Sequence, residues 1–171
     1  MVRETTSILS MKKDMIRLLA FILLFNAKLL FAQDHPHHQQ LLKVYDEAYH
    51  GYMKKDIRLI EASIANSTLQ ALKDTLKASG KKYPQDFFQN RMELPSLSRF
   101  KYFKTILKGT TASMVYFMHQ HKKQKYTGVF IIKYLEENRK WKMVETIREE
   151  NEELALKINR RDYSFLKSLG L

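Results

Sequence analysis

The hydrophobic period of this chain changes once, and that change constrains its fold more than any other feature. Before it, apolar side chains recur in steps of three and four. They are Leu41, Leu42, Val44, Tyr45, Ala48, Tyr49, Tyr52 and Met53, then Ile57, Ile60, Ile64, Leu69, Leu72 and Leu76. Such spacing puts one apolar stripe along a helix. It predicts a helix over 39–54 and a second behind Asp56 as its cap, with Asn66-Ser67-Thr68 dividing the second in two. Gly80 in "ASGKKYP" stops that helix, Pro84 lies just beyond, and 85–98 reads as a connector.

From residue 99 the period becomes two. "RFKYFKTILKGTTASMVYFMHQHKKQKYTGVFIIKYLEENRKWKMVETI" alternates and is rich in β-branched and aromatic residues. Four strands are predicted near 99–108, 110–119, 125–135 and 139–147, with turns at Gly109 and at Glu136-Glu137-Asn138. Consecutive hairpins make an antiparallel meander, with one face free to receive the helices. The tail from 148 opens with acids suited to a helix N-terminus. Leu154, Ile158, Phe165, Leu166 and Leu169 form its packing stripe, bent near Arg160-Arg161-Asp162. The expected class is therefore α+β: N-terminal helices on a curved antiparallel meander, followed by an extra C-terminal helix. At 171 residues and 44% apolar, one domain can bury an ordinary core.

Ahead of the first helix stands a secretory pattern. Met11-Lys12-Lys13 supplies the basic region, "LLAFILLF" (18–25) the apolar run, and Ala32 the small-residue exit. The run is too short to span a bilayer comfortably, and Asn26 and Lys28 interrupt its continuation. The expectation is a signal peptide over 1–32, with Met11 the more natural start, and export to the periplasm or beyond. An uncleaved anchor is the alternative. Cleavage would leave no integral membrane protein, and residues 33–38 as a flexible histidine-containing spacer.

Cut after Ala32, the chain begins Gln33-Asp34-His35. A free terminal amine, two amides and the His35 imidazole form the square-planar nitrogen set preferred by Cu(II) or Ni(II), with His37 and His38 adding weaker ligation. Cyclisation of Gln33 would remove the amine. The spacer reading is preferred over the metal one. The sequence has no cysteine, which excludes disulfides, zinc–thiolate sites, a thiol nucleophile and a lipid-modified cysteine.

The formal charge of +12 favours acidic partners. Residues 1–32 hold five basic and two acidic side chains, so a processed chain keeps 25 basic against 16 acidic. The excess is scattered as doublets: Lys54-Lys55, Lys81-Lys82, Lys122-Lys123 and Arg160-Arg161. That is a solvated basic surface, and nucleic acid is not an expected partner.

Three features together resemble the nuclear transport factor 2-like superfamily. They are the Tyr-x-x-x-Asp-Ile step from Tyr52 to Ile57, the aliphatic strand Val129–Leu135 running into an acidic turn, and "RKWKM" (139–143) near the end of the sheet. The resemblance covers about 39–147 and leaves 148–171 as an extension. It implies a cone of sheet wrapped on helices around a pocket. Relatives of this kind include enzymes, ligand binders and association modules, so the fold alone assigns no chemistry.

The isomerase- and cyclase-like branches implied by that resemblance set a carboxylate or histidine beside a tyrosine in the cone, where apolar walls desolvate the base. Glu145, His119 and Tyr116 are the catalytic candidates here. Trp141, Met143 and Glu145 are expected on one strand face, converging with Tyr102, Tyr116 and Tyr134. His119 and His121 also have strand spacing for a metal, although histidines beside Lys122 and Lys123 are more simply solvated. The ordinary reading of the tyrosines is packing. A ligand pocket of Tyr102, Met114, Tyr116, Met118, Phe130, Tyr134, Trp141 and Met143 would suit an adaptable apolar ligand. No phosphate loop, nucleophile elbow or zinc-protease helix occurs, and no cofactor is expected. The leading expectation is an exported, non-enzymatic domain binding a small apolar ligand or a protein partner, with a homodimer formed through the exposed sheet face or the C-terminal helix. An enzyme of the isomerase or cyclase type and a basic envelope-surface binder are the alternatives.

Overall fold

A computed structural model describes residues 37–89, 94–119 and 125–171. The signal-peptide reading, His35 and His121 fall outside these residues.

Helix α1 (His38–Lys54) buries Leu41, Tyr45, Ala48 and Gly51, the stripe its apolar spacing demands. It ends at Lys55, whose left-handed backbone (φ 55°) turns the chain so that its N–H reaches the last carbonyls. Asp56 then caps α2 (Ile57–Ser63), accepting a hydrogen bond from Arg58 N at 3.0 Å. Gly51 is where the two helices touch. A Cβ there would lie 2.9 Å from Leu59 Cβ and 3.2 Å from the Asp56 carbonyl.

The break before α3 (Asn66–Ala78) comes at Ile64-Ala65, just ahead of the predicted Asn66-Ser67-Thr68. Its cause is tertiary. Ile64 is extended and bridges to Met143, and Ala65 N donates to the Met143 carbonyl at 2.9 Å. Thr68 Oγ1 adds a bond to the Val144 carbonyl at 3.0 Å. The helices are thus stitched to an otherwise open strand edge, which occupies backbone groups that would invite foreign pairing.

The sheet is the predicted meander: β1 (Phe100–Lys108), β2 (Thr111–His119), β3 (Tyr126–Glu137) and β4 (Lys140–Glu150), antiparallel in the order β1-β2-β3-β4. β4 runs three residues past its predicted end, so Glu149 and Glu150 pair with β3 and do not open a helix. Asn151 caps α4 (Glu152–Asn159) by accepting from Leu154 N at 2.8 Å, and α5 (Phe165–Ser168) follows.

Both faces of the sheet are covered, which corrects the expectation of one exposed face available for dimerisation. On the inner face α1–α3 pack against Met114, Tyr116, Phe130, Ile132, Tyr134 and Met143. On the outer face Leu154, Ile158, Phe165 and Leu166 from α4 and α5 pack against Val115, Phe117, Val129 and Ile131. β2 is accordingly buried at every position from Ala112 to Met118. Each large apolar side chain enclosed this way contributes about 1.5–3 kcal/mol. The C-terminal segment is therefore part of the domain's core. Among the described residues, no helix is long and apolar enough to cross a membrane.

Three irregularities interrupt the ladders: at Phe103 in β1, at Thr127 in β3 opposite Met118 and His119, and at Val144 in β4. A bulge reverses which side chains face inward beyond it. That reversal decides where the candidate residues go.

Candidate functional site

The inner face carries most of the expected pocket residues, but as packing. Met114 pairs with Ile132, Tyr116 with Phe130 and Ala112 with Tyr134 across β2 and β3, so these side chains do share a face. Tyr45 from α1 fills the space above them. Its ring stands edge-on to Phe130 at 6.3 Å and its hydroxyl donates to the Pro95 carbonyl at 2.6 Å. Phe100 stacks on the same Phe130 at 5.2 Å. Met118 belongs to this core, and Tyr102 packs at its margin, 5.6 Å from Tyr116.

Tyr134 is the unusual member. It is 1% exposed, and its hydroxyl is the one buried side-chain polar atom without a hydrogen-bond partner among the described residues. Burial pushes its phenol well above the ordinary value of 10.0, with Tyr116, Tyr45 and Asp46 adding to the shift. Tyr45 is shifted in the same direction, again chiefly by burial. Such groups stay protonated at neutral pH, so neither can act as a general base there.

The catalytic candidates separate. β3 and β4 pair Tyr134 with Met143 but Lys133 with Glu145, so the Val144 bulge sends Glu145 to the face opposite Met143. There its carboxylate meets Lys133 Nζ at 2.7 Å, with the Glu145 side chain half exposed. Trp141 and Met143 stay on the inner side. Glu145 therefore does not share a face with them or with Tyr116, because strict alternation fails where β4 bulges. His119 is the exposed last residue of β2, paired with Tyr126 beyond the extra residue Thr127 of β3. The three candidates do not converge.

The histidine stretch also behaves differently from a spacer at its end. His37 precedes α1 with its ring edge-on to Trp141 at 5.7 Å. His38 is the first residue of α1 and is buried, 4.3 Å from the Tyr102 ring. Its Nδ1 lies 3.4 Å from Thr105 Oγ1, which also bonds the Tyr102 hydroxyl at 2.9 Å. Both imidazoles are thus held by aromatic contacts. Among the described residues, no group of three or more metal-ligating side chains gathers.

A cavity does exist on the outer face, where sequence reasoning did not look. It measures about 320 Å³ and lies between residues 170–171 and the end of the sheet that carries the β1–β2 and β3–β4 turns. Ile106, Leu135, Val144 and Leu171 give it apolar walls, while Ser113 and Lys133 line its floor. Lys108 stands at its rim, donating to the Gly170 carbonyl at 3.2 Å. One sequence signal could have found this face. "TASMVYFM" and "GVFIIKYL" are nearly continuous apolar runs, the mark of strands buried on both sides.

Comparison of the chain with protein-family models, with curated proteins and with solved structures returns no match.

Proposed function

We propose that this is an exported, non-catalytic binding domain with a nuclear transport factor 2-like core, and that it holds a small apolar acid in the cavity under its C-terminal tail. The observation that carries the reading is the cavity's own chemistry: aliphatic walls flanked by two lysine ammonium groups. Its size is at the lower end of the roughly 300–1,000 Å³ usual for small-ligand sites, which suits a medium-chain carboxylate. Lys133 already holds Glu145, and an incoming carboxylate would share that ammonium while its tail takes the place of water along Leu135 and Val144. Binding fits this geometry better than turnover, since the candidate base and the tyrosines stand on opposite faces of the sheet.

Titration of the purified protein with decanoate, followed by thermal unfolding, tests the proposal. Saturating ligand raises the unfolding free energy by about 2.7 kcal/mol at a hundredfold excess over Kd. Ser113→Phe, which fills the floor, is expected to abolish that gain. No stabilisation of the parent, or an equal gain in the filled variant, refutes the site. Intact-mass mapping of the N-terminus tests export separately, and a chain beginning at Gln33 is the expected species.

A further inference from the structure

A second cleft, independent of the cavity above, opens between α1 and the β3–β4 hairpin and measures about 460 Å³. We propose that it binds an acidic saccharide, with the Trp141 indole as its platform and Arg139 as its principal anchor.

Three observations converge there. The first is charge. Lys43, Arg139, Lys140 and Lys142 line the cleft against a single carboxylate, Glu47. Glu47 only loosely engages Lys43, at 3.9 Å, and Lys142 donates to the Ala62 carbonyl at the end of α2. Neither Arg139 nor Lys140, both exposed, has an ion-pair partner among the described residues. Four cations around one acid in a concave site select an anion.

The second is the turn that presents Arg139. Asn138 and Arg139 both have positive φ, 52° and 62°, in the two-residue connection between β3 and β4. Such a hairpin turn favours asparagine followed by glycine, because the second position is left-handed. Here an arginine occupies the glycine position, so the backbone carries a conformational cost and a guanidinium stands at the mouth of the cleft. Strain kept at a binding surface is the pattern expected of a functional residue.

The third is the platform. Trp141 is half-buried in the cleft wall, and His37 packs edge-on against it while Gln40 Oε1 lies 3.2 Å from His37 Nδ1. The indole is thus braced before any ligand arrives. An indole offers a flat apolar face, and Gln40 and Glu47 add an amide and a carboxylate to the same cleft. A sugar ring has a C–H face to stack and hydroxyls for those groups, and its carboxylates answer the cations. A bare inorganic anion would use only the cations.

Trp141 is the single tryptophan of the chain, so its emission reports this cleft alone. The full chain is titrated with digalacturonate, with lactose as the neutral disaccharide and inorganic phosphate as the bare anion. Digalacturonate is expected to change the emission saturably, at least tenfold more tightly than either control, and to weaken severalfold between 50 mM and 500 mM salt. Arg139→Gly is expected to keep a melting temperature no lower than the parent's and to weaken digalacturonate at least fivefold. Lys140→Glu should weaken it without moving the melting temperature. No saturable change, equal binding of lactose, or unchanged affinity in both variants overturns the proposal. Phosphate binding as tightly as digalacturonate overturns the saccharide assignment.

Discussion

Replacing Tyr134 with Phe is expected to stabilise the protein, while the same replacement at Tyr45, in the same core, is expected to destabilise it. The rings are equally enclosed, each 1% exposed, and they differ only in what their hydroxyls meet. The Tyr134 hydroxyl is buried without a partner among the described residues. Carrying a hydroxyl into that state costs about 1–3 kcal/mol. Deleting it recovers that cost, less a few tenths of a kcal/mol for the void left by one oxygen at about 24 cal/mol per Å³. The net expectation is a gain of about 1–2 kcal/mol. The Tyr45 hydroxyl instead donates to Pro95 at 2.6 Å, and its loss forfeits about 1 kcal/mol.

Urea unfolding at pH 7 measures both differences, and an unchanged m-value confirms that the midpoint shift is one of stability. The alkaline limb provides an internal check. The folded Tyr134 phenol is held well above 10.0, whereas the unfolded one titrates near that value. Below pH 10 both states keep the proton and the contribution is constant. Above pH 10 the unfolded state releases a proton that the native state retains, so stability falls as pH rises, by about 1.4 kcal/mol per pH unit for such a group. Tyr134→Phe removes that group and should flatten the limb by about the same slope. A variant less stable than the parent would show that the hydroxyl has a partner, and an alkaline limb of unchanged steepness would show that burial does not hold the phenol protonated; either result refutes the reasoning.

Other perturbations follow from single contacts. Gly128→Ala places a Cβ against the Glu149 carbonyl and 2.8 Å from Glu150 Cγ, and should cost more than about 2 kcal/mol in thermal unfolding; a smaller loss would mean that the end of β4 yields. Asn151→Ala removes the α4 cap, with an expected cost of about 1 kcal/mol and faster amide exchange over 152–159 than in the sheet. Glu145→Gln breaks a half-exposed pair and should change stability by less than about 1 kcal/mol, with the difference shrinking in 0.5 M salt. A loss above 2 kcal/mol would assign Glu145 a larger structural part than a surface ion pair.

Much of the architecture is local and therefore readable. The three-and-four spacing of Leu41, Tyr45 and Ala48 marks the buried stripe of α1. Asp56 can cap and does, and Gly80 and Gly109 take the positive φ (70° and 59°) that their turns require. The four strands follow because β-branched and aromatic runs lie between turn residues. The candidate site was less legible, since a period of two assigns faces only while the ladder is regular. The extra residue at Val144 reverses the assignment, and it sends Glu145 to Lys133 and away from the tyrosines.

What the sequence by itself determined is which side of each element is apolar, because that pattern is written in consecutive residues. The tertiary structure decided what each apolar side meets. Ile64 leaves its helix to reach Met143, His38 is buried against Tyr102, and residues 154–166 close the second face of the sheet. These pairings join residues far apart in the chain. Bulges, helix breaks and covered faces are settled by the free energy of the whole packed arrangement, to which no local stretch has access.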